Sequence, residues 1–363
     1  MERLVLPYQA KFFDPGEFNL NIVTGFLDQK NKLTPENYFN KFHSSLAPLY
    51  IFLLRDRYGR KQMNYLEKII NSRTRRHLKT YIVYDFSYEN GVTADEWQSL
   101  EFTKELPSLI LLNTSAQELR ELEYQSYPIE YIDFFALSAI ERERSGTPVC
   151  KTPVSERKPN INLLLGRVYK NKRDEAIRKL YGRNLLNKET TGLIGNLNQL
   201  SKKTLRKCPT IEEYWGSADG VDLPFGIDDS SQGYATNCSV YENSQVSYVC
   251  ETWEHKDYKA NTFITEKTYR AILNKSPFVI QGEKGTLASL RSKGFKTFDN
   301  FIKEDYENDV DATVDAAERL LTLIPQYKDE IQHIVDRNYA VLQKLHRRQI
   351  TKLNRAFEGL SSD

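Results

Sequence analysis

Residues 246–298 read VSYVCETWEHKDYKANTFITEKTYRAILNKSPFVIQGEKGTLASLRSKGFKTF. Residues 246–250 are a short apolar run with β-branched and aromatic side chains, which predicts a strand. Over residues 265–275, Tyr269, Ile272 and Leu273 recur on one side of a helix. Residues 277–280 predict a compact buried strand closed by Gly282, and residues 285–293 a second helix stopped by Gly294. Residues 295–298 predict one more strand. Alternation of this kind implies an α/β chain with a parallel sheet and right-handed crossovers. Such sheets bind ligands in the crevice beyond the carboxyl ends of their strands. Thr265-Glu266-Lys267 opens a helix just after a strand and a loop, so the chemistry is expected at that corner.

Working outward, 363 residues are long for one core and favour two domains. No run of 18 apolar residues occurs, so no transmembrane helix is expected. The first residues turn polar quickly and lack the apolar core of a signal peptide. Cys150, Cys208, Cys238 and Cys250 are scattered without a CxxC pair. That pattern suggests neither a disulfide framework nor a zinc site, and a cytoplasmic location is expected.

Net charge is only +2, but it is unevenly spread. Residues 32–84 hold 11 Lys/Arg against 3 Asp/Glu, a net of +8; residues 85–141 hold 2 against 12, a net of −10. The basic block includes Arg73, Arg75 and Arg76, a cluster able to touch phosphate backbones or another anionic acceptor. The alternative is a solvated face balanced by the acidic block beside it.

The first half reads as its own α/β unit, assigned to residues 1–150. Strands are predicted over 18–24, 78–86 and 109–112, and helices over 61–70, 94–106 and 116–124. Residues 49–54 and 131–140 are apolar without a decisive period. Residues 141–160 hold three prolines and a glycine among charges and read as an interdomain linker. The second domain is assigned to residues 160–325. It begins with a strand over 161–165, then an amphipathic helix over 173–186 and a weak strand over 191–194. Residues 217–233 read as loop. Helices follow over 309–324 and 326–357, broken at Pro325, with residues 326–363 expected to pack back across both domains.

A helix N-terminus carries unpaired N–H groups and partial positive charge, which suits a phosphate. Lys267 adds a full charge there, and Glu266 an acceptor for a ribose or sugar hydroxyl. A second basic group follows the strand at 161–165: Gly166, Arg167, Lys170, Lys172 and Arg173. Two strand ends of one parallel sheet can converge on one crevice and hold a diphosphate between them, with Arg binding it bidentately.

The run FITEKTYRAILNKSPFVI resembles the donor-site signature of α1,3-fucosyltransferase-like enzymes, and more closely that of a group of phage and bacterial glycosyltransferases. The corresponding residues are Glu251-Thr252, Thr265-Glu266-Lys267, Pro277-Phe278, Gly294-Phe295-Lys296-Thr297-Phe298 and Glu304-Asp305-Tyr306. The match covers roughly residues 160–321. The resemblance implies a GT-B architecture: two Rossmann-like domains with a cleft between them, followed by long C-terminal helices. It implies a nucleotide-sugar donor, UDP- or GDP-linked, as co-substrate on the second domain, with no obligatory metal or other cofactor. Carried over by position, Glu266 would contact ribose or sugar, and Lys267 and Arg173 the diphosphate, with Glu251 and Thr265 beside them; Arg167 and Lys170 join the diphosphate side only on the reading of the basic cluster, for which a solvated turn is the alternative.

Glycosyl transfer needs the departing diphosphate stabilised and, if inverting, a general base for the acceptor hydroxyl. Asp85, ending a first-half strand, is the first choice for that base, and Glu89 the second; Asp85 as a turn carboxylate is the alternative. The acceptor side would be Arg73, Arg75 and Arg76. These features favour a phage-type DNA-modifying glycosyltransferase whose acceptor is a hydroxymethylated pyrimidine in double-stranded DNA, reached by exposing the base. Two rivals stand beside it: a surface-glycan transferase of the fucosyltransferase type, and a non-catalytic nucleic-acid-binding protein of the same fold. No P-loop, GxSxG or GxGxxG fingerprint occurs.

Overall fold

A computed structural model of the chain describes residues 21–24, 49–54, 60–78, 80–86, 106, 108–113, 129–144, 146, 148–165, 171–186, 191–194, 201–211, 238–251, 262 and 264–362. The chain divides into two compact units. One comprises residues 1–138 and 347–363, the other residues 139–346.

The first unit holds a five-stranded parallel sheet in the order β1-β2-β3-β4-β5. The strands are β1 (Asn21–Thr24), β2 (Leu49–Leu54), β3 (Thr80–Phe86), β4 (Ser108–Asn113) and β5 (Ile129–Ile132). Space follows sequence, so chain direction across this sheet never reverses among the described strands. The apolar run at 49–54 thus becomes a strand, and 131–140 divides between β5 and helix α2 (Phe134–Arg144). Asp133 sits at that junction, and its carboxylate accepts the Ala136 N–H at 3.3 Å, capping α2.

Helix α1 (Arg60–Arg75) precedes β3. It ends with His77 at φ 55°, in the left-handed region that closes a helix, while the Leu78 N–H returns to the Arg73 carbonyl at 3.0 Å. The predicted helices at 94–106 and 116–124 lie almost wholly outside the described residues; Leu106 is a bend.

The second unit holds a four-stranded parallel sheet in the order β7-β6-β8-β9. Here β6 is Ile161–Leu165, β7 Thr191–Ile194, β8 Val246–Cys250 and β9 Phe278–Gln281. The chain leaves β6 to form β7 on one side, then returns to form β8 and β9 on the other. This reversal beside β6 is the topological switch point at which open α/β sheets place their ligands. Every residue of β8 and β9 is buried, as expected of parallel strands covered on both faces.

Helix α3 (Asn171–Gly182) follows β6, and α4 is Lys202–Lys207. Helix α5 (Cys238–Glu242) leads into β8, and α6 (Glu266–Leu273) connects β8 to β9. After β9 come α7 (Thr286–Ser292), α8 (Val310–Leu323) and the 35-residue α9 (Lys328–Ser362). On the outside, α3 and α8 are laced by Lys179–Asp311 and by Arg183 to both Asp315 and Glu318. Such exposed pairs contribute little singly.

Two expectations need correction. Residues 295–298 do not form a strand. Phe295 and Phe298 are core anchors, Phe298 meeting Phe278 edge-on at 5.3 Å and Phe295 lying 6.1 Å from Tyr269. Side chains supply the pairing that a neighbouring strand would: Asn338 bonds the Lys296 N–H at 2.7 Å and its carbonyl at 2.8 Å, and Glu304 accepts the Phe298 N–H at 2.8 Å.

Residues 141–160 are also no loose linker. Their start belongs to α2, and Cys150, Val154 and Arg157 are buried. The segment is fastened by Asn274, whose side chain accepts the Cys150 N–H at 2.9 Å and whose carbonyl accepts Arg157 at 3.2 Å. Among the described residues no helix is long and apolar enough to cross a membrane.

Candidate functional site

The carboxyl end of β8 is organised by one buried carboxylate. Glu251 directly follows β8 and is 1% exposed. Its Oε1 accepts the Thr265 N–H at 3.0 Å and the Thr268 hydroxyl at 2.6 Å, and its Oε2 accepts the Thr265 hydroxyl at 2.5 Å. Charge-assisted bonds of this kind are the strong class, and here they fix where α6 begins. Thr265 is the N-cap of α6, with extended backbone and its hydroxyl oxygen facing the Lys267 N–H at 3.5 Å. A carboxylate on one strand therefore sets the start of the helix that carries Glu266 and Lys267.

Lys267 bends back over this cap. Its Nζ donates to Thr265 Oγ1 at 2.9 Å and to Glu266 Oε1 at 2.8 Å. Both side chains are mostly shielded, 14% exposed for Lys267 and 20% for Glu266. Burial works against charging Glu266, but Lys267 and then Arg270 outweigh it and hold the carboxyl down to about 2. Glu266 and Lys267 thus form an ion pair at a helix N-terminus.

Arg173 comes to the same strand end from α3. It is 4% exposed, and its guanidinium donates to the Cys250 carbonyl at 3.5 Å and the Glu251 carbonyl at 3.4 Å. Burial pushes the Cys250 thiol up to about 12, opposed first by Arg173 and next by Lys267, so both cations act on this one strand end. The first turn of α3 is held against β9. Gln281 donates to the Lys172 carbonyl at 3.3 Å, and Lys172 Nζ reaches the Asn308 carbonyl at 3.1 Å.

Beyond β9, Gly282 is closely packed: a Cβ there would lie 3.0 Å from Thr286 Oγ1, tight enough that Thr286 would have to shift, and in ordinary contact at 3.5 Å with Glu251 Cβ. The Glu307 carboxylate bonds the Gly285 N–H at 2.8 Å and the Leu287 N–H, capping α7. The edge thus carries Arg173 and Lys267 around Cys250 and Glu251, at the switch point beside β6. Chemically it can hold an anion with two cations and a helix dipole, while Glu266 offers a charged acceptor.

The remaining expected residues fall as follows. Glu251, Thr265, Glu266, Lys267 and Arg173 are brought together, with the oxygens of Glu251 engaged by Thr265 and Thr268. Arg167, Lys170 and Glu89 lie outside the described residues. Asp85 lies within β3, one residue before its end, in register with Leu54 and Leu111, so it does not terminate that strand.

In the basic cluster, Arg75 and Arg76 are exposed, but Arg73 is 0% exposed and donates to the Thr80 hydroxyl at 2.8 Å. Its guanidinium is a structural tie between α1 and β3, because the helical face it occupies is the one laid on the sheet. Thr268, Gln281 and Glu307 carry the geometry without having been singled out in the sequence. Thr265 and Thr268 share a helix face by spacing, but their common partner Glu251 lies 14 and 17 residues upstream of them. Among the described residues, no group of three or more His, Cys, Asp or Glu is placed to hold a metal ion.

No protein-family model matches the chain, and no curated protein matches it. Among solved structures it is similar to an α,α-trehalose-phosphate synthase (UDP-forming) from Burkholderia vietnamiensis, with a TM-score of 0.43 and 13% identity over 87% of this chain and 73% of that chain. It is similar also to an α,α-trehalose-phosphate synthase (UDP-forming) from Burkholderia xenovorans in complex with glucose-6-phosphate, with a TM-score of 0.42 and 12% identity over the same shares.

Proposed function

We propose that the chain is a nucleotide-sugar-dependent glycosyltransferase of GT-B type, with its donor site at the carboxyl edge of the β7-β6-β8-β9 sheet. One observation carries the reading. Arg173 from α3 and the Lys267 corner of α6 meet at the end of β8, beside the switch point, which is where a parallel sheet offers a diphosphate its cations and helix dipole. The order of motifs along residues 160–321 points the same way.

In the proposed reaction the acceptor oxygen bonds to the anomeric carbon as the bond to the nucleoside diphosphate breaks. Lys267 and Arg173 take up the charge on the departing diphosphate, and Glu266 holds a ribose or sugar hydroxyl. Asp85 would accept the hydroxyl proton in an inverting course. For the acceptor we favour a hydroxymethylated pyrimidine in DNA, supported by the basic block of the first unit, in which Arg75 and Arg76 are exposed.

The deciding experiment is a thermal-shift screen against UDP-, GDP- and CMP-sugars, repeated on Lys267→Ala. A shift with one nucleotide class that disappears in the variant supports the donor site. An equal shift in both proteins removes Lys267 from it.

A further inference from the structure

Gln281 closes β9 and is 0% exposed. The residues before it, Phe278, Val279 and Ile280, are apolar and buried, so the pattern calls for another apolar side chain. Burying an amide instead costs stability unless its polar atoms find partners. Gln281 finds them on two other elements. Its Oε1 accepts the Tyr248 hydroxyl at 2.8 Å and faces the Cys250 thiol at 3.8 Å, both on β8. Its Nε2 donates to the Lys172 carbonyl at 3.3 Å, in the first turn of α3. With donors at the oxygen and a carbonyl at the nitrogen, the amide has one orientation. Its base is fixed as well: the Gln281 carbonyl accepts the Glu251 N–H at 2.9 Å, and the next N–H, of Gly282, donates to the Glu307 carbonyl at 2.7 Å.

We propose that Gln281 is a positioning residue of the donor site, latching α3 to the strand ends and so setting where Arg173 meets the diphosphate. Lys172 and Arg173 are adjacent, with Cα atoms about 3.8 Å apart, so one moves with the other. The contacts of Arg173 with the strand end, at 3.4 and 3.5 Å, are too long to fix α3 by themselves. The Gln281 latch acts on backbone, so α3 keeps its place when the guanidinium turns to a phosphate. Met would fill the same volume and grip nothing. This inference rests on the reading of a donor diphosphate at the end of β8 and adds to it the residue that places one of its two cations.

The test uses the full chain, with UDP and GDP as probes in calorimetric titrations. Gln281→Met is expected to weaken diphosphate binding about tenfold, the worth of one lost hydrogen bond. In an Arg173→Met background the same substitution is expected to change affinity less than about twofold, because the latch then has nothing to position. A merely structural Gln281 would weaken both proteins alike. Gln281→Glu adds a reading in pH. Its protonated carboxyl can copy the amide, accepting from Tyr248 and donating to the Lys172 carbonyl, whereas the carboxylate can only accept. The ratio of variant to parent affinity cancels the titration of the phosphates themselves. That ratio is expected to lie near one while the carboxyl is protonated and to fall about tenfold as it ionises. Parent affinity in Gln281→Met, or an equal loss in the Arg173→Met background, overturns the inference while the donor reading stands. A parent that binds neither UDP nor GDP removes the donor reading as well.

Discussion

Glu251 and Thr265 stand 14 positions apart and are joined twice, through the Thr265 N–H at 3.0 Å and the Thr265 hydroxyl at 2.5 Å. The carboxylate that ends one strand thereby fixes the first residue of the next helix. Everything the corner offers a ligand depends on this join, since Lys267 is itself oriented by the Thr265 hydroxyl.

Glu251→Gln tests the join. The amide keeps the size but loses the charge, and it offers one acceptor oxygen in place of two. About 1–3 kcal/mol of stability is expected to go, as for hydrogen bonds to a buried charged group. Urea unfolding reads that loss. Donor affinity should fall with it, although Glu251 reaches the ligand only through Thr265. A variant with parent stability and parent donor affinity would show that α6 is positioned by something else.

Arg173 separates charge from geometry. Arg173→Lys keeps the charge but not the fork that reaches both the Cys250 and Glu251 carbonyls. Arg173→Met keeps only the bulk. Nucleotide-sugar affinity is expected to fall about tenfold in the first and about a hundredfold in the second, in the range of lost charge-assisted contacts. Calorimetric titration checks the order. Equal affinity in all three proteins sinks the donor role of Arg173.

Glu266 gives a prediction in pH. Its folded pKa is depressed to about 2 against an ordinary 4.5. A depressed carboxyl stabilises the fold above its unfolded pKa, and that contribution is lost as pH falls through the folded value. The window is therefore from about pH 5 down to about pH 2, and the contribution is on the order of 2–3 kcal/mol. Stability measured across that window should fall less steeply in Glu266→Gln than in the parent. Identical slopes would mean that the pair with Lys267 does not form in solution.

How much of this was legible follows from the range over which each interaction acts. The strand at 161–165 was read to the residue, because a parallel strand inside a sheet is a short continuous apolar run, and the weaker strand at 191–194 has the predicted bounds as well. The corner at Thr265-Glu266-Lys267 was legible because capping is local. Arg73 was not, because an Arg among Arg and His looks like surface until the helix is laid on the sheet and Thr80 meets it. Residues 141–160 misled for a similar reason. Prolines and charges suggest solvent, yet Asn274, more than a hundred residues on, satisfies the backbone and the guanidinium that let the segment be buried. The reversal of chain direction at β6 is also a pairing fact, and a single sequence gives strands without their neighbours.

Asn338 offers the sharpest test of the element misread as a strand. Its amide sits on α9, is 1% exposed, and bonds both the N–H and the carbonyl of Lys296. Asn338→Ala removes both partners at once and leaves those two groups without Asn338 beside the buried Phe295. Both bonds are only partly buried and Lys296 itself is exposed, so each is expected to contribute what an ordinary hydrogen bond does, about 0.5–1.5 kcal/mol. Asn338→Asp can still accept from the Lys296 N–H but, when ionised, cannot donate to its carbonyl, so it too should be destabilised. Donor binding should change little in either variant, because the bonds lie on the 294–298 element and not at the end of β8. Hydrogen exchange at the Lys296 amide supplies the local reading: fast in Asn338→Ala and slower in Asn338→Asp. If both variants protect that amide as the parent does, the Asn338 amide is not what replaces the missing strand.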